Sequence, residues 1–170
     1  MHELYTRFPN PPLILLKDAL IIGKNTFITY RNGGYDYGEE RPGLGEYRLS
    51  YMPTDKRYVA DYKDGEWGEG RLTADPTVVI NECAGILQYC QEIFEGLKAY
   101  TTEDGSIVTF RPDLNAERMM DSAVRLEMPP FPKERFLEAV DAVVRENAAW
   151  VPPYGSGATL YLRPYMFATG

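Results

Sequence analysis

Two residues near the C-terminal end have the types and the spacing for chemistry. Tyr161 and Arg163 lie two apart in a predicted strand over 158–169, and alternate residues of a strand share a face. Pro164 keeps Arg163 extended, because the proline ring clashes with an α conformation in the residue before it. An arginine on an otherwise apolar strand needs a partner, since an unpaired buried charge is costly. A carboxylate ligand would serve, and so would a structural Glu or Asp; within proteins the second arrangement is the commoner. Arg118 falls on a predicted helix one turn after Leu114. Its planar fork suits phosphate or carboxylate in a way that lysine does not, although a lone helical arginine is usually just solvated. Tyr89 and Phe94 flank a polar Cys-Gln-Glu segment, and by themselves such aromatics belong more often to a core than to a pocket. Trp67 and Trp150 are assigned to packing. Cys83 and Cys90 match no metal spacing and the one histidine is His2, so the two thiols read as packed or idle, and no metal is expected. The Gly155-Ser156-Gly157 loop is too short to be taken for a phosphate cradle, and the chain has no GxGxxG, P-loop, GxSxG or HExxH.

The elements that must position these residues can be read from periodicity. Tyr58 to Tyr62 is a short strand pattern closed by Lys63-Asp64-Gly65-Glu66, and Asp-Gly between strands signals a hairpin because its turn needs positive φ. Val78 to Ile80 is a further strand candidate. Phe94 to Thr101 and Ile107 to Phe110 enclose a second Asp-Gly turn at Asp104-Gly105, so the region reads as an antiparallel meander. Arg111-Pro112-Asp113 then opens a helix, proline and an acid both suiting a first turn. Leu114, Met119, Met120, Ala123 and Val124 are its apolar residues, and it ends before Pro129-Pro130. Pro132 starts a second helix whose Phe136, Leu137, Val140, Val143 and Val144 mark one face of a 3.6-residue period. Strands, two helices and a closing strand indicate an α+β class: an antiparallel meander packed with two helices. The first 48 residues resist assignment. Pro9, Pro11, Pro12 and the glycines from Gly33 to Gly45 read as loops and turns around one short strand at Thr26 to Tyr30.

Bulk properties narrow the functional classes. The chain has 170 residues, 44% hydrophobic and 25% charged, ordinary for a globular domain with a real core. Acidic residues outnumber basic ones by 25 to 18, for a formal charge of −7, which argues against a nucleic-acid surface. No stretch reaches the roughly 20 apolar residues of a membrane span. Leu13 to Ile22 is broken by Lys17 and Asp18 and follows no basic leader, so it does not read as a signal peptide, and a cytoplasmic location is expected.

Three strings carry a resemblance. They are Gln-Tyr-Cys-Gln-Glu-Ile-Phe-Glu-Gly-Leu-Lys-Ala-Tyr from Gln88 to Tyr100, Phe-Arg-Pro-Asp-Leu-Asn-Ala-Glu-Arg-Met from Phe110 to Met119, and Trp-Val-Pro-Pro-Tyr-Gly-Ser-Gly-Ala-Thr-Leu-Tyr-Leu-Arg-Pro from Trp150 to Pro164. In this order and at this spacing they resemble signatures of the branched-chain amino-acid aminotransferases, over about residues 55 to 170. The resemblance implies a pyridoxal-phosphate enzyme of fold type IV (D-amino-acid aminotransferase-like), with residues 49–170 as its small N-terminal domain and residues 1–48 as an extension. It implies amino transfer between leucine, isoleucine or valine and 2-oxoglutarate by a homodimer. Arg118 then resembles the arginine that contacts the cofactor phosphate. Tyr89, Phe94 and Tyr161 resemble the aromatic walls of the substrate pocket. Arg163 resembles the arginine that accepts the side-chain carboxylate of glutamate. One tethered cation beside aromatic walls would let a single pocket take a branched aliphatic chain and a dicarboxylate in turn.

The chain departs from the pattern in places. Leu49 stands nearest to a position where many members have phenylalanine, and Cys90 stands where glycine is common. The family's Schiff-base lysine lies in a second domain past the linker that would begin near Gly170. Lys98 is where some relatives carry arginine and is no substitute for it, so no catalytic residue is expected here and the polypeptide by itself is expected to be inactive. Two other readings stay open: a non-catalytic fragment that pairs with a full subunit or a separate C-terminal half, and another fold type IV enzyme, a D-amino-acid transaminase or aminodeoxychorismate lyase. The Trp-Val-Pro-Pro and Leu-Tyr-Leu-Arg-Pro strings speak against the last.

Overall fold

A computed structural model of the protein describes residues 18–22, 25–29 and 51–169, with side chains described from Thr54 onward. Leu49, Tyr30 and the proline- and glycine-rich stretches before residue 48 lie outside these residues. The strands are β1 (Asp18–Ile22), β2 (Asn25–Thr29), β3 (Tyr51–Pro53), β4 (Arg57–Lys63), β5 (Glu66–Trp67), β6 (Arg71–Thr73), β7 (Glu92–Phe94), β8 (Leu97–Thr101), β9 (Ile107–Thr109), β10 (Thr159–Leu162) and β11 (Pro164–Ala168). The helices are α1 (Gly85–Tyr89), α2 (Pro112–Arg125) and α3 (Lys133–Glu146). The expected α+β class with antiparallel pairing is what forms. Among the described residues, however, the strands make two sheets rather than one meander. One runs β5-β4-β1-β11-β7 with β6 also on β4, and the other runs β3-β2-β10-β8-β9.

Both Asp-Gly hairpins form where the turn chemistry placed them. Asp64 and Gly65 have φ of 55° and 91° and join β4 to β5. Gly105, at φ 83°, turns β8 into β9. β1 pairs with both β4 and β11, and β2 with both β3 and β10, so each lies inside its sheet rather than at an edge.

Four expectations are corrected. Val78 to Ile80 is not a strand but part of a loop, with Val79 89% exposed. Pro76 cannot donate to a ladder, and the loop's polar groups are used otherwise. The buried Arg57 guanidinium donates to the carbonyls of Asp75 at 2.6 Å and Thr77 at 2.7 Å, and the Asp75 carboxylate takes the Thr77 N–H. The closing strand of 158–169 is divided at Arg163, because β10 pairs with β8 in one sheet and β11 with β7 in the other. Phe94 to Thr101 divides likewise at Glu95-Gly96. Both thiols are exposed rather than packed.

The two helices cover the sheets and share one core, in which Phe136, Met119, Leu160 and Met166 are fully buried. On α3 the buried face is Phe136, Ala139, Val140 and Val143, with Leu137 and Val144 partly buried against it. On α2 it is Asn115, Ala116, Met119 and Ala123, whereas Leu114 and Val124 face outward. Trp67 and Trp150 pack on the same core, each also donating its indole N–H, to the Pro130 carbonyl and to Asp55. α2 stops cleanly: Glu127 takes φ of 55° and the Met128 N–H reaches back to the Ala123 carbonyl, a left-handed helix end without the usual glycine.

Candidate functional site

The divided strands set the site. Where β7 passes into β8 and β10 into β11, the chain crosses between sheets, and these two corners lie side by side. The Glu95 N–H donates to the Pro164 carbonyl at 2.8 Å. Across this junction the Arg163 guanidinium lies over the Phe94 ring at 4.3 Å and over the Tyr161 ring at 5.2 Å. Three of the five residues singled out in the sequence therefore form one stack. The Arg163 Nε is buried and has no hydrogen-bond partner among the described residues. Two cation–π contacts are worth roughly 0.5–1 kcal/mol each at exposed sites. A buried donor left unsatisfied costs about 1–3 kcal/mol. The stack orients Arg163 without satisfying it.

Tyr161 also lines a cleft of about 330 Å³, together with Lys98, Phe110, Leu114, Asn115 and Arg118 among others. Lys98 is opposite Tyr161 in the β8–β10 ladder, which brings it to the cleft as part of the sheet. Arg118 reaches the cleft from α2 and is gripped by Glu95, with Nε at 3.1 Å from Oε1 and Nη2 at 2.7 Å from Oε2. The Glu95 hydrogen bonds and charge raise the Arg118 pKa further above its usual range, so the guanidinium is charged at any working pH. Among the described residues Glu95 occupies the Nε–Nη2 edge of the fork, which leaves the two Nη1 N–H groups and the second Nη2 N–H as donors.

Gly96 accounts for the closeness of the two parts. A Cβ there would come within 2.3 Å of the Tyr161 hydroxyl, so the absence of a side chain lets Tyr161 lie against the β7–β8 corner. Tyr89 does not join. It ends α1, is 80% exposed, and lines neither the cleft nor the stack. Cys90, next to it, has φ of 53° and ψ of 34°, a left-handed conformation in which glycine would be unstrained.

Sequence reasoning missed Glu95, Gly96 and Asn115, although all three lie inside the quoted strings. A signal was present for Asn115, which precedes Arg118 by three residues and so shares its helical face. For Glu95 there was none, because an acid inside one expected strand, Phe94 to Thr101, reads as surface charge.

No family model matches the chain. Individual proteins do. A branched-chain-amino-acid aminotransferase of Haemophilus influenzae is 54% identical over 122 residues, which cover 72% of this chain and 36% of that protein. One of Helicobacter pylori is 44% identical over 122 residues, again 72% and 36%. A methionine aminotransferase of Arabidopsis thaliana is 44% identical over 126 residues, 74% of this chain and 35% of that protein. A solved branched-chain aminotransferase of Thermoproteus uzoniensis with norvaline aligns over 63% of this chain and 39% of its own, with a TM-score of 0.42 and 21% identity. The chain spans about a third of the length of the curated relatives it matches. On these sequence identities, the chain belongs to the branched-chain amino-acid aminotransferase family, over a region that makes up about a third of its relatives.

Proposed function

We propose that this polypeptide supplies the substrate wall and one phosphate grip of a pyridoxal-phosphate transaminase for branched-chain amino acids and 2-oxoglutarate. The observation that carries this reading is the Phe94–Arg163–Tyr161 stack, with an unsatisfied buried Nε next to a cleft that holds a second arginine. The family is pyridoxal-phosphate dependent. The residues present fit one side of that cofactor. Arg118 offers a charged fork of the kind that binds phosphate, beside Tyr100, Phe110 and Leu114, which give the cleft an apolar lining. When bound, the cofactor supplies the electron sink on which amino transfer depends.

The chain's own residues bind and orient. Phe94 and Tyr161 present ring faces that accept an aliphatic side chain by burial alone. Arg163, held by the same rings, offers its guanidinium charge to the side-chain carboxylate of glutamate or 2-oxoglutarate. A leucine side chain would lie along the ring faces and leave the guanidinium where it is. One pocket can then alternate between an apolar and a dicarboxylate partner without rebuilding its wall. The homodimer and the substrate-wall role of Tyr89 belong to the same proposal, as does the division of the chain into an extension at residues 1–48 and a domain from residue 49.

The test is a chimera in which these 170 residues replace the matching part of the Haemophilus influenzae relative. It should transfer amino groups from leucine to 2-oxoglutarate. Arg163→Gln in it should raise KM for glutamate and 2-oxoglutarate about 10- to 100-fold, the value of a charge-assisted pair, while KM for leucine changes little. An inactive but folded chimera would sink the functional reading, and equal losses on both substrates would remove the role given to Arg163.

A further inference from the structure

Glu95 is tied to both candidate cations. Its side chain is 11% exposed whereas that of its partner Arg118 is 59% exposed. The carboxylate accepts from Arg118 Nε and Nη2 and, at 2.7 Å, from Asn115 Nδ2. Asn115 is itself buried and also donates to the Gly96 carbonyl at 3.2 Å. Through its main chain Glu95 is bonded to Pro164, the residue after Arg163. One residue thus fixes the Arg118 side chain and braces the backbone beside Arg163.

An ion pair whose arginine is more than half in water contributes little to folding. A long exposed side chain held in one rotamer by a nearly buried, triply bonded carboxylate is instead ordered before any ligand arrives, and pre-ordering is what strengthens binding. The carboxylate would repel an incoming phosphate if its charge were free, but the bidentate pair and the Asn115 N–H already engage it. The ordering therefore outweighs the repulsion.

We propose that Glu95 is a positioning residue that sets Arg118 to receive a phosphate group through the Nη1 side of its fork. This rests on the reading of Arg118 as a phosphate grip, and the test separates the two. In the isotopically labelled 170-residue chain, the Arg118 Nε–H signal is followed by NMR while inorganic phosphate, pyridoxal phosphate and pyridoxal are added in turn. The Nε–H should exchange with water more slowly than in free arginine. It should shift with the two phosphate compounds and not with pyridoxal. Glu95→Gln should speed the exchange and weaken phosphate-compound binding about three- to tenfold, the cost of immobilising one long side chain at the moment of binding. Arg118→Met should remove the binding, and the double variant should be no worse than Arg118→Met. Undiminished binding in Glu95→Gln with loss in Arg118→Met overturns the positioning role and leaves the phosphate grip standing. Undiminished binding in Arg118→Met overturns both. Should Glu95→Gln fail to fold, the unsubstituted chain still decides, since an Arg118 Nε–H that exchanges as fast as in free arginine ends the proposal.

Discussion

Gly96 lacks a side chain at the one place where Tyr161 occupies the space for it, with the hydroxyl and ring within 2.3–3.2 Å of where a Cβ would stand. Gly96→Ala must therefore displace an aromatic ring that belongs to the candidate site. It should cost about 1–3 kcal/mol in urea denaturation, as overpacking does. Tyr161→Phe in the same chain should recover part of this, since the shortest contact is to the hydroxyl. No change in stability would mean that the corner yields freely. Cys90 is the opposite case, a side chain where none is wanted. Relief of its left-handed backbone exceeds the extra unfolded-state freedom of glycine, so Cys90→Gly should gain about 0.5–1 kcal/mol, read from the urea midpoint. At this scale the sequence was legible where residue type and spacing coincided. Tyr161 and Arg163, two apart and stiffened by Pro164, proved to share a stack with Phe94. Tyr89 could not be located this way, because a residue that ends a five-residue helix has its direction set by the turn that follows it.

The elements were legible to the extent that one period governed them. α2 and α3 begin at or next to Pro112 and Pro132 and end at Arg125 and Glu146, short of the prolines that follow them, and both hairpins follow their Asp-Gly turns. The crossovers at Glu95-Gly96 and Arg163 were hidden, because a polar residue at each corner reads as the ordinary outward-facing member of one alternating strand. The loop at residues 74–84 was misread because β propensity is local while the Arg57 clamp is tertiary. Asn147 shows the cost of such clamps. It is buried, donates to the Lys56 and Val143 carbonyls, and accepts the Lys56 N–H, joining the end of α3 to the start of β4. Asn147→Leu should lose about 2–3 kcal/mol by leaving those backbone groups unpaired, and a loss below 0.5 in urea denaturation would show that water replaces the amide. At the other end of its pattern, α2 opens with Asp113 hydrogen-bonded to the Arg111 fork, which holds the carboxyl at about 2. A carboxylate lowered on folding lends its full stabilisation above its unfolded value of about 4 and loses it as pH falls toward about 2. The gap in unfolding midpoint between wild type and Asp113→Asn should thus be flat from pH 8 to about 5 and close below that. A gap that widens on acidification would contradict the pairing.

For the molecule as a whole, the question is what these 170 residues can do unaided. Lys98 is the one lysine lining the cleft among the described residues, and it lies in the β8–β10 ladder opposite Tyr161. The resemblance puts the cofactor's lysine in a different part of the family's chain. We therefore expect a polypeptide of these 170 residues, given leucine, 2-oxoglutarate and pyridoxal phosphate, to transfer no amino groups. Adding the separately produced remainder of the Haemophilus influenzae relative should restore both cofactor absorbance and transfer. Borohydride reduction of the restored pair should then leave the cofactor covalently on the added piece, and Lys98→Met should not prevent it. Turnover by the 170 residues unaided, or covalent label on Lys98, would make this chain the seat of the chemistry rather than its wall.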